Sequence, residues 1–343
     1  MIVCRTPLRV SFLGGGSDLP VHYRRHGGAV VSAAIAKYVY VTVNRRFDKS
    51  IRLSYSMTEE VDHAREIKHR LVRAAMLKLG IENGLEITSI ADIPSRGTGL
   101  GSSSAFTTGL LHALHAYQGD YRSQADLAAE ACEVEIDLCG EPIGKQDQYA
   151  AAVGGVNLLR FNPDESVTVE KIVFSPNFMR EFQDSMLLFY TGVTRSASDI
   201  LRNQIGIMGS SDEKTDVVRR MAAMTDDFRH AIQDNNLGWV GDLLHESWTL
   251  KQSISDQIST GVIDDMYKSA RGAGALGGKL LGAGGGGFLL VCAPVERHDA
   301  VRRALAGYRC LPLRLDWTGT SIILYSPQEL DPDWSKDSKK EKI

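Results

Sequence analysis

Apolar positions change their spacing several times along the chain, and each change marks a different element. Tyr38 to Val43 is a β-branched and aromatic run, and Ile51 to Tyr55 alternates apolar with polar, as half-buried strands do. From Glu59 to Leu79 the spacing predicts one long helix, with Val61, Ile67, Leu71 and Ala75 near one face and Gly80 as its stop. Leu85 to Ile93 returns to strand, ended by Pro94. Phe106, Leu110, Ala113, Leu114 and Tyr117 then fall at helical spacing. A second helix is predicted from Ser123, with Asp126 in a capping-box-like position and Leu127, Ala131, Val134 and Leu138 as its apolar stripe. The stretch EPIGKQDQYAAAVGG reads as a break rich in glycine and alanine, leading into the strand-like VNLLRF.

Beyond about residue 165 the pattern shifts. Met186 to Tyr190 is a buried-strand candidate. Two long helices follow, one lined by Val217, Met221, Met224 and Phe228, the other by Leu237, Val240, Leu244 and Trp248. Residues 277–291 read as strand, glycine loop, strand. A short helix at 296–307 and strands at 311–317 and 320–325 complete a mixed α+β unit. The 343 residues suit two domains of about 150 residues each. We place them at 1–165 and 166–330, with residues 331–343 (DPDWSKDSKKEKI) as a charged tail and a cleft shared between the domains.

Composition narrows the function classes. Hydrophobic residues make up 43% and charged residues 24%, the balance of a globular chain. A net charge of -3 gives no general attraction to nucleic acid or anionic membrane, although a local basic pocket remains compatible with an anionic substrate. The five cysteines form no C-x-x-C pair, and the plain reading is small core thiols in a reduced compartment. The N-terminus MIVCRTPLRV has no signal pattern, and no apolar run approaches the roughly 20 residues that span a bilayer. The expectation is a cytoplasmic protein, monomeric or homodimeric.

The strongest local signal is PSRGTGLGSSSAF, residues 94–106. Gly97, Gly99 and Gly101 let backbone N–H groups approach an anion, and Ser102, Ser103 and Ser104 then open a helix. A helix N-terminus offers unpaired N–H groups and partial positive charge to a phosphate. The three hydroxyls can cap the helix, bind phosphate oxygen or reach a metal; a tight turn with a serine cap is the bland alternative. No Gly-Lys-Ser/Thr follows, so this is not a Walker A loop, and the dinucleotide spacing is absent too.

PLRVSFLGGGSD (7–18), PSRGTGLGSSSA (94–105) and KLLGAGGGG (279–287) resemble, in order and spacing, the three signature motifs of the galactokinase–homoserine kinase–mevalonate kinase–phosphomevalonate kinase (GHMP) family. The resemblance spans nearly the whole chain. It implies a two-domain α+β fold, with a ribosomal protein S5 domain 2-like N-terminal half and a ferredoxin-like C-terminal α/β sandwich. It implies an ATP-dependent kinase using Mg²⁺ on a small-molecule sugar or sugar phosphate. The second motif would wrap the ATP phosphates through Gly97, Gly99, Leu100, Gly101 and the three serines, with Gly284 and Gly285 of the third motif at the nucleotide end. The first motif would contact the acceptor through Gly15, Gly16, Ser17 and Asp18. Many members carry Gly-Glu-His where this chain has Gly14-Gly15-Gly16, so the usual sugar-contacting Glu and His are missing. Gly-Gly-x-Ser-Asp with the later Gln146-Asp147-Gln148-Tyr149 looks most like the bacterial heptose 7-phosphate kinases, with fucokinases next.

Asp147 matches the family's catalytic aspartate, and Arg9 resembles the arginine beside it. Phosphoryl transfer needs alignment and charge neutralisation more than covalent help. A carboxylate beside the attacking hydroxyl can hold it in line and accept its proton, and a neighbouring cation can share the charge on the phosphoryl oxygens. A structural ion pair is the competing reading. Gln146 is an acceptor contact by the same resemblance. For the metal, the family takes one ligand from the second-motif serines, here Ser103, and one from a glutamate upstream of the aspartate. On an ideal helix Glu133 points away from the apolar stripe, while Glu130 and Glu135 flank it. Glu135 fits the family spacing best. Arg195, in YTGVTRSASDIL, can lean over the cleft toward an anionic substrate or be an ordinary surface arginine. The same fold used for ATP-dependent decarboxylation, and a sugar sensor without turnover, are rival readings.

Overall fold

The computed structural model describes residues 1–93, 97–194 and 197–326. Strand β1 (Ile2–Leu13) runs through the centre and is buried almost along its whole length. After the one-turn-plus helix α1 (Pro20–His26), the 18-residue β2 (Gly28–Arg45) pairs antiparallel with β1. β2 is long enough to take two partners on its far side. Val39–Arg45 pair with β5 (Leu85–Ala91), and Gly28–Ala33 pair with β6 (Val156–Phe161). β3 (Ile51–Ser54) and β4 (Thr58–Val61) extend the sheet beyond β5, and β7 (Val167–Lys171) extends it beyond β6.

One face of this sheet is covered by α2 (Arg70–Lys78), α3 (Ser102–Gln118), α4 (Gln124–Cys132) and α5 (Gln146–Val153). α3 begins where predicted. Gly101 at φ +72° precedes it and Gly119 at φ +73° ends it, both in the left-handed region that an L side chain rarely adopts.

The second half begins with α6 (Pro176–Asp184) and β8 (Met186–Tyr190). Four helices follow: α7 (Ala197–Ser210), α8 (Asp212–Gln233), α9 (Leu237–Gln252) and α10 (Gly261–Gly272). β9 (Gly277–Leu280), β10 (Phe288–Cys292), α11 (His298–Ala304) and β11 (Cys310–Pro312) close the unit. The antiparallel order β11-β8-β10-β9 is the ferredoxin-like arrangement, fourth strand beside first and third beside second. The two halves share one core. Phe12 of β1 packs at 5.4 Å ring separation against both Phe182 of α6 and Phe228 of α8. Among the described residues no helix is long and apolar enough to cross a membrane.

Five sequence expectations change. The helix expected over 59–79 is only α2; residues 58–61 form a strand instead. Glu59 is the reason: its buried carboxylate accepts Lys68 N (2.6 Å), His69 N (3.1 Å) and Tyr55 Oη–H (2.9 Å), which folds the segment back before a helix starts. Residues 146–153 are helical rather than a break. Leu138, placed on the buried stripe, is exposed, because Glu133–Leu138 winds as a π-helix and turns the following face. The strand expected over 311–317 is the shorter β11. The last strand, β12 (Ser321–Tyr325), pairs with β1 in the first sheet, and so does β7 through β6. A cut at 165/166 therefore does not follow the sheets.

Candidate active site

The cleft between the halves is built around Arg9. Its main-chain N–H donates to Leu100 O at 2.9 Å, which pins the glycine loop onto β1. Its guanidinium is 5% exposed and grips Asp147 with two bonds, Nε to Oδ1 at 2.6 Å and Nη2 to Oδ2 at 2.7 Å. The remaining Nη1 donates to Gly99 O at 2.5 Å. Asp147 lies in the first turn of α5, so strand, loop and helix meet at one ion pair. At φ +72° Gly101 is in a conformation that L side chains rarely adopt, and a side chain there would crowd the ion pair. A Cβ there would stand 3.0 Å from Arg9 Cγ and 3.3 Å from Asp147 Oδ2.

The second and third glycine motifs pack backbone against backbone. A Cβ on Gly99 would fall 2.4 Å from Leu281 O, and one on Gly282 would fall 2.5 Å from Gly99 Cα. Phe288 N donates to Thr98 O at 3.2 Å. Gly97, Gly99, Leu100, Gly101 and Ser102 to Ser104 all line the cleft. From the glycine loop of the third motif it is Gly282 and Ala283 that stand in the wall, with Lys279 from the strand before it. Gly284 and Gly285, expected there, pack on Ile258 instead: Gly285 N donates to Ile258 O at 2.9 Å, and a Cβ on Gly284 would stand 2.9 Å from Ile258 Cα.

The π-helix turns Glu135 fully inside. Ser103 Oγ donates to its Oε1 at 2.9 Å and Gln148 Nε2 to its Oε2 at 2.6 Å. Burial pushes its carboxyl up to about 7, against the opposing hydrogen bonds from Ser104, Ser103 and Gln148. A hydroxyl and a buried carboxylate at the start of α3 make an all-oxygen pair suited to Mg²⁺, which takes few protein ligands beside phosphate and water. The other glutamates are occupied elsewhere. Glu130 meets His115 at 2.6 Å and Glu133 meets Lys78 at 2.8 Å.

At the other end of the cleft Asp18 is 3% exposed. Its Oδ1 accepts Gly16 N and Gln146 Nε2, both at 3.0 Å, and its Oδ2 accepts Gln146 N at 3.3 Å. Burial, and then the charge of Asp147, push its carboxyl above the usual range. Gly15, Gly16, Asp18 and Gln146 line the cleft, as does Ser11. Ser11 Oγ and Gln146 Oε1 are buried without a hydrogen-bond partner among the described residues, and both suit the hydroxyls of a bound polyol. Ser17 does not reach the cleft: its hydroxyl donates toward Gly14 O (2.7 Å) and Ala29 O (3.0 Å) and accepts Ala29 N, holding the turn shut. Arg195 lies outside the described residues.

Two features went unread in the sequence. Lys251 and Lys279 are buried cations in the cleft wall. Lys251 Nζ donates to Gly282 O at 2.5 Å and Lys279 Nζ to Phe12 O at 2.9 Å. Burial first, then neighbouring cations, pull Lys251 down to about 8 and Lys279 well below the usual lysine range. The available signal was spacing, since Lys251 continues the apolar stripe Leu237, Val240, Leu244 and Trp248. The second feature is a mixed polar and apolar pocket behind Ser102 and Ser103, walled by Tyr55, His69, Leu71, Ile93 and Phe106 together with Ser56 and Ser89.

Residues 62–155 match the GHMP kinases N terminal domain, and residues 228–309 match the GHMP kinases C terminal domain. The chain is 29% identical over 317 residues to D-glycero-alpha-D-manno-heptose 7-phosphate kinase of Campylobacter jejuni, covering 87% of this chain and 91% of that protein. It is 26% identical to the bifunctional fucokinase/GDP-fucose pyrophosphorylase of Arabidopsis thaliana, over 87% of this chain and 30% of that larger protein. Among solved structures, a D-glycero-D-manno-heptose 1-phosphate kinase from Bacteroides thetaiotaomicron has the same fold, with TM-score 0.77 and 24% identity over 95% of this chain and all of that one. With both family domains matched in order around one cleft, the chain belongs to the GHMP kinases and is an ATP-dependent kinase.

Proposed function

We propose that the chain phosphorylates the anomeric hydroxyl of a sugar, with D-glycero-D-manno-heptose 7-phosphate as acceptor and the 1,7-bisphosphate as product. The observation that carries this reading is the Arg9–Asp147 pair, set between a glycine loop on one side and the Asp18–Gln146 pair on the other. The nucleobase would occupy the pocket of Tyr55, His69 and Phe106, and the phosphates the start of α3. Asp18, Gln146 and Ser11 would hold the sugar hydroxyls. Asp147 would align the acceptor oxygen and take its proton as that oxygen bonds to the γ-phosphorus and the bond to the ADP oxygen breaks. Arg9 fixes the carboxylate and contributes charge beside the transferring group. Ser103 and Glu135 would hold Mg²⁺, which supplies neutralising charge to the ATP phosphates when bound. The heptose 7-phosphate assignment is supported by the Campylobacter relative and by GGGSD in place of the galactokinase-type Gly-Glu-His. The fucokinase relative favours a second reading, an unphosphorylated sugar acceptor.

ADP release under a panel of sugars and sugar phosphates tests the assignment, with ³¹P NMR locating the new phosphate. The expected result is the highest kcat/KM on heptose 7-phosphate and a new signal at C1. Faster turnover of fucose or galactose replaces the acceptor, and phosphorylation away from C1 overturns the anomeric assignment.

A further inference from the structure

Lys251 is a buried charge that the chemistry above leaves unused. It sits one turn beyond Trp248 on the inner face of α9, 6% exposed, in the wall of the cleft. Gly282 O is the only acceptor its ammonium reaches among the described residues, which leaves two N–H groups over. The charged groups around it are Arg9 from β1, Asp18 from the first glycine turn and Lys279 from β9. Two of those three are cations, and the charge of Arg9 is already engaged with Asp147. A buried ammonium with no carboxylate bound to it is costly, and an anion in the cleft removes the cost.

The position of Lys251 says which anion. Gly282, which anchors it, touches Gly99, and Gly99 O anchors Arg9 Nη1. Two cations, one from each half of the molecule, thus hang from two touching glycines at the point where phosphate loop and acceptor site meet. We propose that Lys251 contacts the phosphoryl group as it passes from ATP to the acceptor, making it a catalytic residue opposite Arg9. As the acceptor oxygen–phosphorus bond forms and the bond to the ADP oxygen breaks, negative charge collects on the non-bridging and leaving oxygens. The two remaining N–H groups of Lys251 neutralise that charge, and the lysine keeps its proton throughout.

The inference rests on the kinase chemistry and not on which sugar is the acceptor. Lys251→Met and Lys251→Arg in the full chain test it. Lys251→Met is expected to lower kcat about 10²–10³-fold, the range for losing one transition-state donor. Affinity for ADP and KM for the acceptor stay within about threefold. The tighter binding of ADP with aluminium fluoride, a phosphoryl mimic, disappears. Because burial brings Lys251 to about 8, wild-type kcat/KM should fall above about pH 8, and Lys251→Arg should flatten that limb while recovering part of kcat. Unchanged kcat in Lys251→Met overturns the proposal. So does a loss of ADP affinity and Tm that accounts for the loss of kcat, since that reduces Lys251 to a tie on Gly282. Should no sugar be turned over, the proposed acceptor fails, and the aluminium fluoride arm still decides Lys251.

Discussion

Gly144 lies against Asp18 so closely that a Cβ on it would stand 1.9 Å from Oδ2 and 2.8 Å from the Asp18 main-chain oxygen. The carboxylate therefore occupies its place in the cleft only because residue 144 has no side chain. Gly144→Ala should push Asp18 off Gly16 N and Gln146 and raise acceptor KM at least tenfold. ADP affinity, read by calorimetry, should hold, because the glycine loop is untouched. Unchanged acceptor KM would remove Asp18 from the binding site.

Asp147→Asn keeps shape and polarity but removes the proton acceptor and the counter-charge of Arg9. We expect kcat to fall about 10²–10⁴-fold, with KM for ATP moving little. Tm should fall as well, since the Arg9 guanidinium stays buried without its partner. The Arg9→Met, Asp147→Asn double variant should lose less activity than the product of the single losses, because the two side chains act as a unit. A fully active Asp147→Asn enzyme would sink the base assignment.

Glu135→Gln should raise the Mg²⁺ concentration for half-maximal activity, while Glu130→Gln, whose carboxylate is bound to His115, should not. Direct Mn²⁺ binding by electron paramagnetic resonance gives a readout without turnover. If Glu130→Gln weakens Mn²⁺ binding and Glu135→Gln does not, the metal lies elsewhere.

Acid should destabilise the protein through two histidines, His22, which is buried, and His112, which is partly buried. Burial holds both His22 and His112 down to about 4, against an ordinary value of 6.5. Between those values the unfolded chain binds protons that the folded one does not, so stability falls as pH drops from about 6.5 toward 4. Each histidine can contribute up to about 1.4 kcal/mol per pH unit. Urea midpoints at pH 7 and pH 5 measure it. Replacing His112 with Gln should shrink the difference, and an unchanged difference would exclude His112 as a source.

Much of the site was legible because its parts are local or carry distinctive residue types. Helix α3, its glycine start and its serines follow from neighbours within one turn. The three glycine motifs, with Arg9 and Asp147 at fixed offsets from them, identified the family. Other readings failed where a residue far along the chain, or a small change of winding, decides the outcome. The 59–79 helix was misread because backbone N–H groups nine and ten residues on from Glu59 capture its carboxylate. Gly284 and Gly285 were expected at the nucleotide end, and only the packing on Ile258 and Gly99 puts Gly282 in the wall in their place.

The sequence by itself determined helices α3, α8 and α9, the glycine loop and the aspartate–arginine pair as candidates, and the membership of the family, since short-range periodicity and motif spacing encode all of these. Tertiary structure alone decided that the π-helix turns Glu135 onto Ser103, that β12 returns to pair with β1, and that Lys251 becomes a buried cation beside Arg9. Each depends on which segments meet in space. A buried charge and a solvated one are the same letter in a sequence, and only the packing around the letter fixes its desolvation and its partners.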